Sequence, residues 1–72
     1  MNQISVSAPA HVRPDLKRIA GWVEPGSRVL DLGCGDGTLL AHLQNKKQCV
    51  GVGVELSDQQ VIACVRRGVR VI

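Results

Sequence analysis

The chain of 72 residues has no phenylalanine and no tyrosine, and Trp22 is its single aromatic. Stacking platforms for exposed bases are therefore missing, which argues against a nucleic-acid partner despite a formal net charge of +3. No apolar run approaches the roughly 20 residues that a bilayer-spanning helix needs. The opening MNQISVSAPAHV lacks both the basic start and the apolar stretch of a secretory signal. The expectation is a soluble, cytoplasmic protein with no membrane partner. Cys34, Cys49 and Cys64 form no CxxC pair, and neither His11 nor His42 sits at a metal-ligand spacing from them. Three reduced thiols, each a small buried hydrophobe, are expected, and no metal. The basic pairs Lys46-Lys47 and Arg66-Arg67 read as solvated helix ends, where cations complement the dipole.

What is present is an ordinary globular composition, 44% hydrophobic. A chain this short buries only about 60% of the surface it exposes when unfolded, so help from a partner is anticipated. Residues 1–12 show little periodicity and read as a flexible N-terminal arm. Pro14-Asp15 suits a helix start, and Leu16, Ile19, Ala20 and Val23 recur on one face until Pro25-Gly26 ends the helix. Val29 to Leu32 is a short apolar strand. Leu39, Leu40 and Leu43 then share one side of a second helix. Cys49 to Glu55 is a second strand, with Val50, Val52 and Val54 on one face and Gly51 and Gly53 on the other. Glycine inside a strand marks a place where something packs close to the backbone. Ser57 and Gln60 have capping-box spacing ahead of a third helix with Val61, Ile62 and Val65 inward, closed by Gly68. Val69 to Ile72 begins a third strand.

Strands alternating with helices of about a dozen residues indicate βαβ units and a parallel sheet. Right-handed crossovers put both connecting helices on one face of that sheet. Parallel sheets are covered on both faces, and nothing in these residues covers the other. Residues 13–72 therefore read as the N-terminal half of a larger Rossmann-like α/β domain: a leading helix, then β-α-β-α-β.

The chemistry concentrates in Asp31-Leu32-Gly33-Cys34-Gly35-Asp36-Gly37, with Glu55 twenty-two residues beyond Gly33. Glycines between a strand and a helix let a ligand lie against the main chain. An acid ending the next strand is placed to accept hydrogen bonds from ribose hydroxyls. The ligand crevice of such folds lies beyond the carboxyl ends of the strands. A dinucleotide fingerprint, GxGxxG, needs glycine at position 38, where Thr38 stands. With Asp31 and Asp36 bracketing the loop, a diphosphate would be repelled, whereas a nucleoside carrying an ammonium and a sulfonium is suited.

Val29-Leu30-Asp31-Leu32-Gly33-Cys34-Gly35-Asp36-Gly37 resembles the first motif of class I S-adenosylmethionine-dependent methyltransferases. Over RPDLKRIAGWVEPGSRVLDLGCGDGTLLAHL and GVGVELSDQQVIACVRRGVRVI, from about Arg13 to Ile72, the chain is similar to the MetW family of methionine-biosynthesis proteins. The resemblance implies a partial class I methyltransferase fold that binds S-adenosylmethionine or S-adenosylhomocysteine. In it, Gly33, Gly35 and Gly37 pass under the methionine and ribose parts of the cofactor, with Cys34 contributing loop backbone. Asp31 sits near the ammonium end, Glu55 holds the ribose hydroxyls, and Leu56 packs against adenine. Arg13 reads as an exposed helix-start arginine rather than a contact to the cofactor carboxylate. No catalytic residue is assigned, because the family's acceptor-side groups come later than position 72. The function implied is a role in methionine biosynthesis alongside homoserine O-acetyltransferase. An independent methyltransferase of unknown acceptor is the alternative, and a nicotinamide-dinucleotide domain a weaker one.

Overall fold

The computed structural model describes residues 13–72, and the arm expected over residues 1–12 lies outside the described residues, as does the side chain of Arg13. The order is α1 (Arg13–Gly21), β1 (Arg28–Leu32), α2 (Thr38–Lys47), β2 (Val50–Val54) and α3 (Asp58–Arg66). β1 and β2 pair in parallel, with Val29 beside Gly51 and Asp31 beside Gly53. The expected third strand is reduced to one parallel bridge between Val71 and Gly53. It is held by Gly53 N–H to Arg70 O, 2.8 Å, and Ile72 N–H to Gly53 O, 2.9 Å. β2 therefore lies between β1 and the final residues, as an α/β Rossmann-like arrangement requires.

The core lies on one side of this sheet. Leu39, Leu40 and Leu43 of α2 are all buried, together with Val29, Cys34, Cys64 and Val69. The two strand glycines explain how α2 comes so close. A Cβ at Gly51 would stand 2.6 Å from Leu40 Cδ2, and one at Gly53 would overlap Cys34 Sγ. Leu40 and Cys34 are thus the groups that press on the strand backbone.

α1 ends at Gly21, earlier than the Pro25-Gly26 stop read from sequence. Trp22 N–H and Val23 N–H bond back to Ile19 and Ala20 carbonyls in i to i−3 fashion, tightening the chain out of the helix. Lys47 closes that end. Its ammonium donates to Ala20 O at 2.7 Å and Val23 O at 2.6 Å. A residue expected to be solvated instead caps a neighbouring helix. Lys47→Met should lower stability by about 1.5–3 kcal/mol in urea titrations, the range for a hydrogen bond to a charged group. A change under about 0.3 kcal/mol would show the cap to be ornamental.

α3 needs a second correction. Cys64 is its buried residue, Val61 is half-buried, and Ile62 and Val65 are half or more exposed. The helix has two apolar stripes. The stripe with the small side chain faces inward because α3 packs directly against the glycine loop: a Cβ at Gly37 would lie 3.0 Å from Cys64 Sγ. Ser57 is the N-cap but makes no side-chain cap bond, so the capping box is not formed. At the other end, Gly68 N–H to Val65 O and Val69 N–H to Cys64 O complete a Schellman closure, with Gly68 at φ 76.

The second sheet face carries Leu30, Leu32, Val50, Val52 and Val54, of which Leu32 and Val50 are exposed. Leu30, Val52 and Val54 on that face are half-buried, none of them enclosed. The 72-residue chain is expected to self-associate, since an open apolar face and a strand edge both favour contact between copies. Sedimentation velocity across a concentration series checks this; a strictly monomeric chain with one sharp thermal transition would contradict it.

Candidate functional site

The turn from β1 into α2 is built on alternating left-handed residues. Gly33, Gly35 and Gly37 have φ of 71, 60 and 83, conformations that cost an L-residue about 1–2 kcal/mol. The GxGxG spacing is the spacing of those positive φ values. Gly33 N–H and Cys34 N–H both donate to Val54 O, at 2.8 and 3.1 Å, which pins the loop to the end of β2. Gly37 N–H donates to Cys34 O at 3.2 Å. These bonds satisfy the Gly33, Cys34 and Gly37 donors from within.

Glu55 follows β2 directly and turns back onto the loop. Its Oε1 accepts from Gly35 N–H and its Oε2 from Ser57 N–H, both at 2.9 Å. Those bonds, from Ser57 first and Gly35 second, outweigh desolvation and hold the carboxyl below its ordinary value. Each oxygen keeps a further lone pair for a second donor. Leu56 stands beside it in sequence, 95% exposed, an apolar surface just past the carboxyl end of β2.

The two aspartates differ from each other. Asp31, on the helix-covered face, is 1% exposed, and its negative charge is felt at Cys34 and Cys64. Among the described residues no buried polar side-chain atom lacks a partner. Asp36 is engaged at both oxygens. Its Oδ1 accepts from Thr38 N–H at 3.0 Å and Thr38 Oγ1 at 2.6 Å, and its Oδ2 pairs with Arg67 Nη2 at 3.2 Å. Of the two carboxylates expected to bracket a ligand, Asp36 thus already has partners within the chain. Asp36 fills the amino end of α2 and ties it to the end of α3.

Burial pushes the Asp36 carboxyl up, but the Thr38 bonds and the Arg67 guanidinium together hold it below its ordinary 3.8. A folded value below the unfolded one adds stability that is complete above pH 3.8 and is lost as pH falls through the folded value. Asp36→Asn is therefore expected to flatten the acid limb of the stability curve while leaving its shape near neutrality. Thermal midpoints of both proteins from about pH 2 to 7 check this; parallel acid limbs would remove Asp36 from the account.

All three cysteines are free and buried, as expected. Their sulfurs nonetheless make contacts. Cys34 Sγ lies 3.7 Å from Cys64 Sγ, and Cys64 Sγ lies 3.1 Å from Gly35 O. Burial pushes the Cys34 thiol up to about 12, with Cys64 adding to it, and burial raises Cys64 as well. Sequence reading missed Cys64, Arg67 and the Val54 carbonyl as neighbours of the loop. Only Cys64 carried any signal, a lone polarisable residue on an otherwise aliphatic helix. Among the described residues no three His, Cys, Asp or Glu side chains converge as a metal site would need, and no helix is long and apolar enough to cross a membrane. His42 is exposed and, with Lys17, edges a small cleft floored by Leu16 and Leu39.

Comparison with known proteins bears on the whole of this arrangement. The family model of methionine biosynthesis protein MetW matches residues 13–72. The bifunctional methionine biosynthesis protein MetXA/MetW of Rhodopirellula baltica is 36% identical over 66 residues, which cover 81% of this chain and 11% of that protein. The chain thus spans about a tenth of the length of that curated relative. No solved structure gives a significant match. With the family model covering every described residue, the chain belongs to the MetW family of methionine biosynthesis proteins.

Proposed function

We propose that the strand-end crevice of this chain binds S-adenosylmethionine or S-adenosylhomocysteine, and that the protein serves methionine biosynthesis beside homoserine O-acetyltransferase. The observation that carries the nucleoside reading is the pairing of donors in the loop. Gly33, Cys34, Gly35, Gly37 and Thr38 N–H groups all have partners within the chain. A diphosphate needs such groups unpaired at a helix start, and here the Asp36 carboxylate already occupies that position. What the crevice offers outward is acceptor capacity on Glu55 and an apolar surface on Leu56. That set fits a ribose diol and an adenine ring. It does not fit the pyrophosphate of a nicotinamide dinucleotide.

Within this reading Glu55 receives the ribose hydroxyls, and Gly33, Gly35 and Gly37 let the methionine and ribose portions lie against the main chain beside the backbone of Cys34. Asp31, enclosed beneath its surroundings, acts on the ligand's ammonium as a fixed charge rather than by direct contact. When bound, the cofactor supplies an electrophilic methyl group. The chain's own residues bind and orient it, and none is assigned to the acceptor. The accessory role draws support from the relative whose name joins MetXA and MetW. A covering layer for the open sheet face would come from the remainder of the domain.

Titration calorimetry with S-adenosylhomocysteine and, separately, NAD tests the ligand. Saturable binding of the first alone is expected, and binding of NAD alone would overturn the proposal. Co-purification with homoserine O-acetyltransferase tests the partner, and its absence at high concentration of both proteins would leave only the ligand half standing.

A further inference from the structure

Trp22 is the one aromatic residue of the chain, and it is 70% exposed between Ala20 and Val23, which are both enclosed. The backbone that carries it is fixed on both sides. Trp22 N–H and Val23 N–H bond back to the Ile19 and Ala20 carbonyls, and the Lys47 ammonium holds the Ala20 and Val23 carbonyls at 2.7 and 2.6 Å. The indole is thus presented from a clamped turn, which leaves little backbone freedom to be lost on binding. With only two side-chain torsions, tryptophan offers a large contact area at low entropic cost. It is also among the residues that dominate interface energies.

This turn lies at the amino end of the sheet. It leads into β1 at Arg28, and Gly26 N–H to Lys47 O and Val50 N–H to Ser27 O join it to the end of α2 and the start of β2. The glycine loop and Glu55 lie at the opposite, carboxyl ends of the same strands, so an occupant on Trp22 leaves them free. Arg18, Arg28 and Lys46 are exposed at the Trp22 end, against the one carboxylate of Glu24. The other large apolar side chains left exposed among the described residues are placed differently. Leu32, Val50 and Ile72 belong to the sheet or its edge, and a parallel sheet takes its second layer from its own domain. Leu56 follows Glu55 in the proposed nucleoside site. Ile62 and Val65 on α3 are aliphatic, a poorer source of binding energy than an indole.

We infer that Trp22 is the anchor by which this chain docks on homoserine O-acetyltransferase, its indole entering an apolar pocket with an acidic rim. The partner is the one proposed above from the relative whose name joins MetXA and MetW, and the docking surface stands only with it.

The test titrates the cognate homoserine O-acetyltransferase against the 72-residue chain by biolayer interferometry, as wild type, Trp22→Ala, Trp22→Phe and Ile62→Gln. Trp22→Ala is expected to weaken binding about thirtyfold or more, the measure of an interface hot spot. Trp22→Phe keeps an aromatic face and should lose less than alanine. Ile62→Gln should change affinity less than about threefold. Affinity of the wild type should fall as salt is added, and insensitivity to salt would remove the acidic rim. A further measurement needs no variant. Grown with fluorotryptophan, the chain carries one fluorine resonance, since Trp22 is its single tryptophan, and that resonance should shift or broaden when the acetyltransferase is added. Wild-type binding that Trp22→Ala leaves intact, or that leaves the fluorine signal unmoved, overturns the docking surface while the partner remains. Absence of wild-type binding removes the partner itself, and the docking surface with it.

Discussion

Glu55→Ala is expected to weaken S-adenosylhomocysteine binding by about 1–3 kcal/mol, the cost of leaving formerly hydrogen-bonded groups unpaired. Each 1.4 kcal/mol is tenfold in Kd, so the loss is large enough for calorimetry to resolve. The residue does two things at once. Its carboxylate accepts Gly35 and Ser57 N–H groups, and on the proposed reading it also accepts the ribose hydroxyls. Alanine removes both and loosens the loop. Glu55→Gln separates them, since its amide oxygen still accepts from Gly35 while its NH2 group meets Ser57 N–H, donor to donor. Glutamine should therefore keep the loop bond that alanine loses, cost less stability than alanine, and still bind several-fold more weakly. An affinity for Glu55→Gln equal to wild type would remove the ribose assignment, whatever alanine did.

Gly53→Ala should be the most damaging single methyl group in the chain. The added Cβ would overlap Cys34 Sγ and stand 2.9 Å from Cys34 Cβ and 3.2 Å from Leu40 Cδ1. Cys34 belongs to the glycine loop and cannot swing aside as the tip of a long side chain can, so the loop must lift from β2. Overpacking of this kind costs about 1–3 kcal/mol, against the roughly 3–5 kcal/mol that a single core of this size supplies. A chain left with about 0–4 kcal/mol of stability, and a clearly lower thermal midpoint, is expected. Cys34→Ala in the same molecule removes the overlapping sulfur and should recover more than half of the loss, a coupling that a double-mutant cycle measures. Gly51→Ala meets the flexible end of Leu40 at 2.6 Å and should be milder. Gly21→Ala meets nothing within 4 Å and has no positive φ, so it should be neutral or stabilising by up to about 1 kcal/mol. Equal unfolding midpoints for all three alanine variants would show that the close approach at β2 has no energetic content.

Much of the site was legible because its signals are local. Three glycines at alternate positions announce three left-handed residues, which Gly33, Gly35 and Gly37 are. An acid one residue past a strand of alternating valines lies near the loop of the neighbouring parallel strand because the register leaves it nowhere else, and Glu55 accepts from Gly35. The strand glycines signalled a close approach without saying by what. Other assignments failed where a residue had two plausible partners. Asp36 has the composition of a ligand-facing acid, but Thr38 and Arg67 take its oxygens. Lys47 reads as a solvated helix end, but the α1 carbonyls lie within reach.

Residue type and spacing determined the helices, the strands, the parallel order and the position of the loop, since each depends on dihedral preference or on a period of a few residues. Tertiary structure alone decided which stripe of α3 turns inward and what each charge meets. It also placed Cys34 beside Cys64, thirty residues apart, with both sulfurs near the Gly35 carbonyl. Two apolar stripes on one helix have nearly the same periodicity, and a hydrogen bond has a range of about 3 Å. Neither choice can be made until the chain has brought its distant parts together.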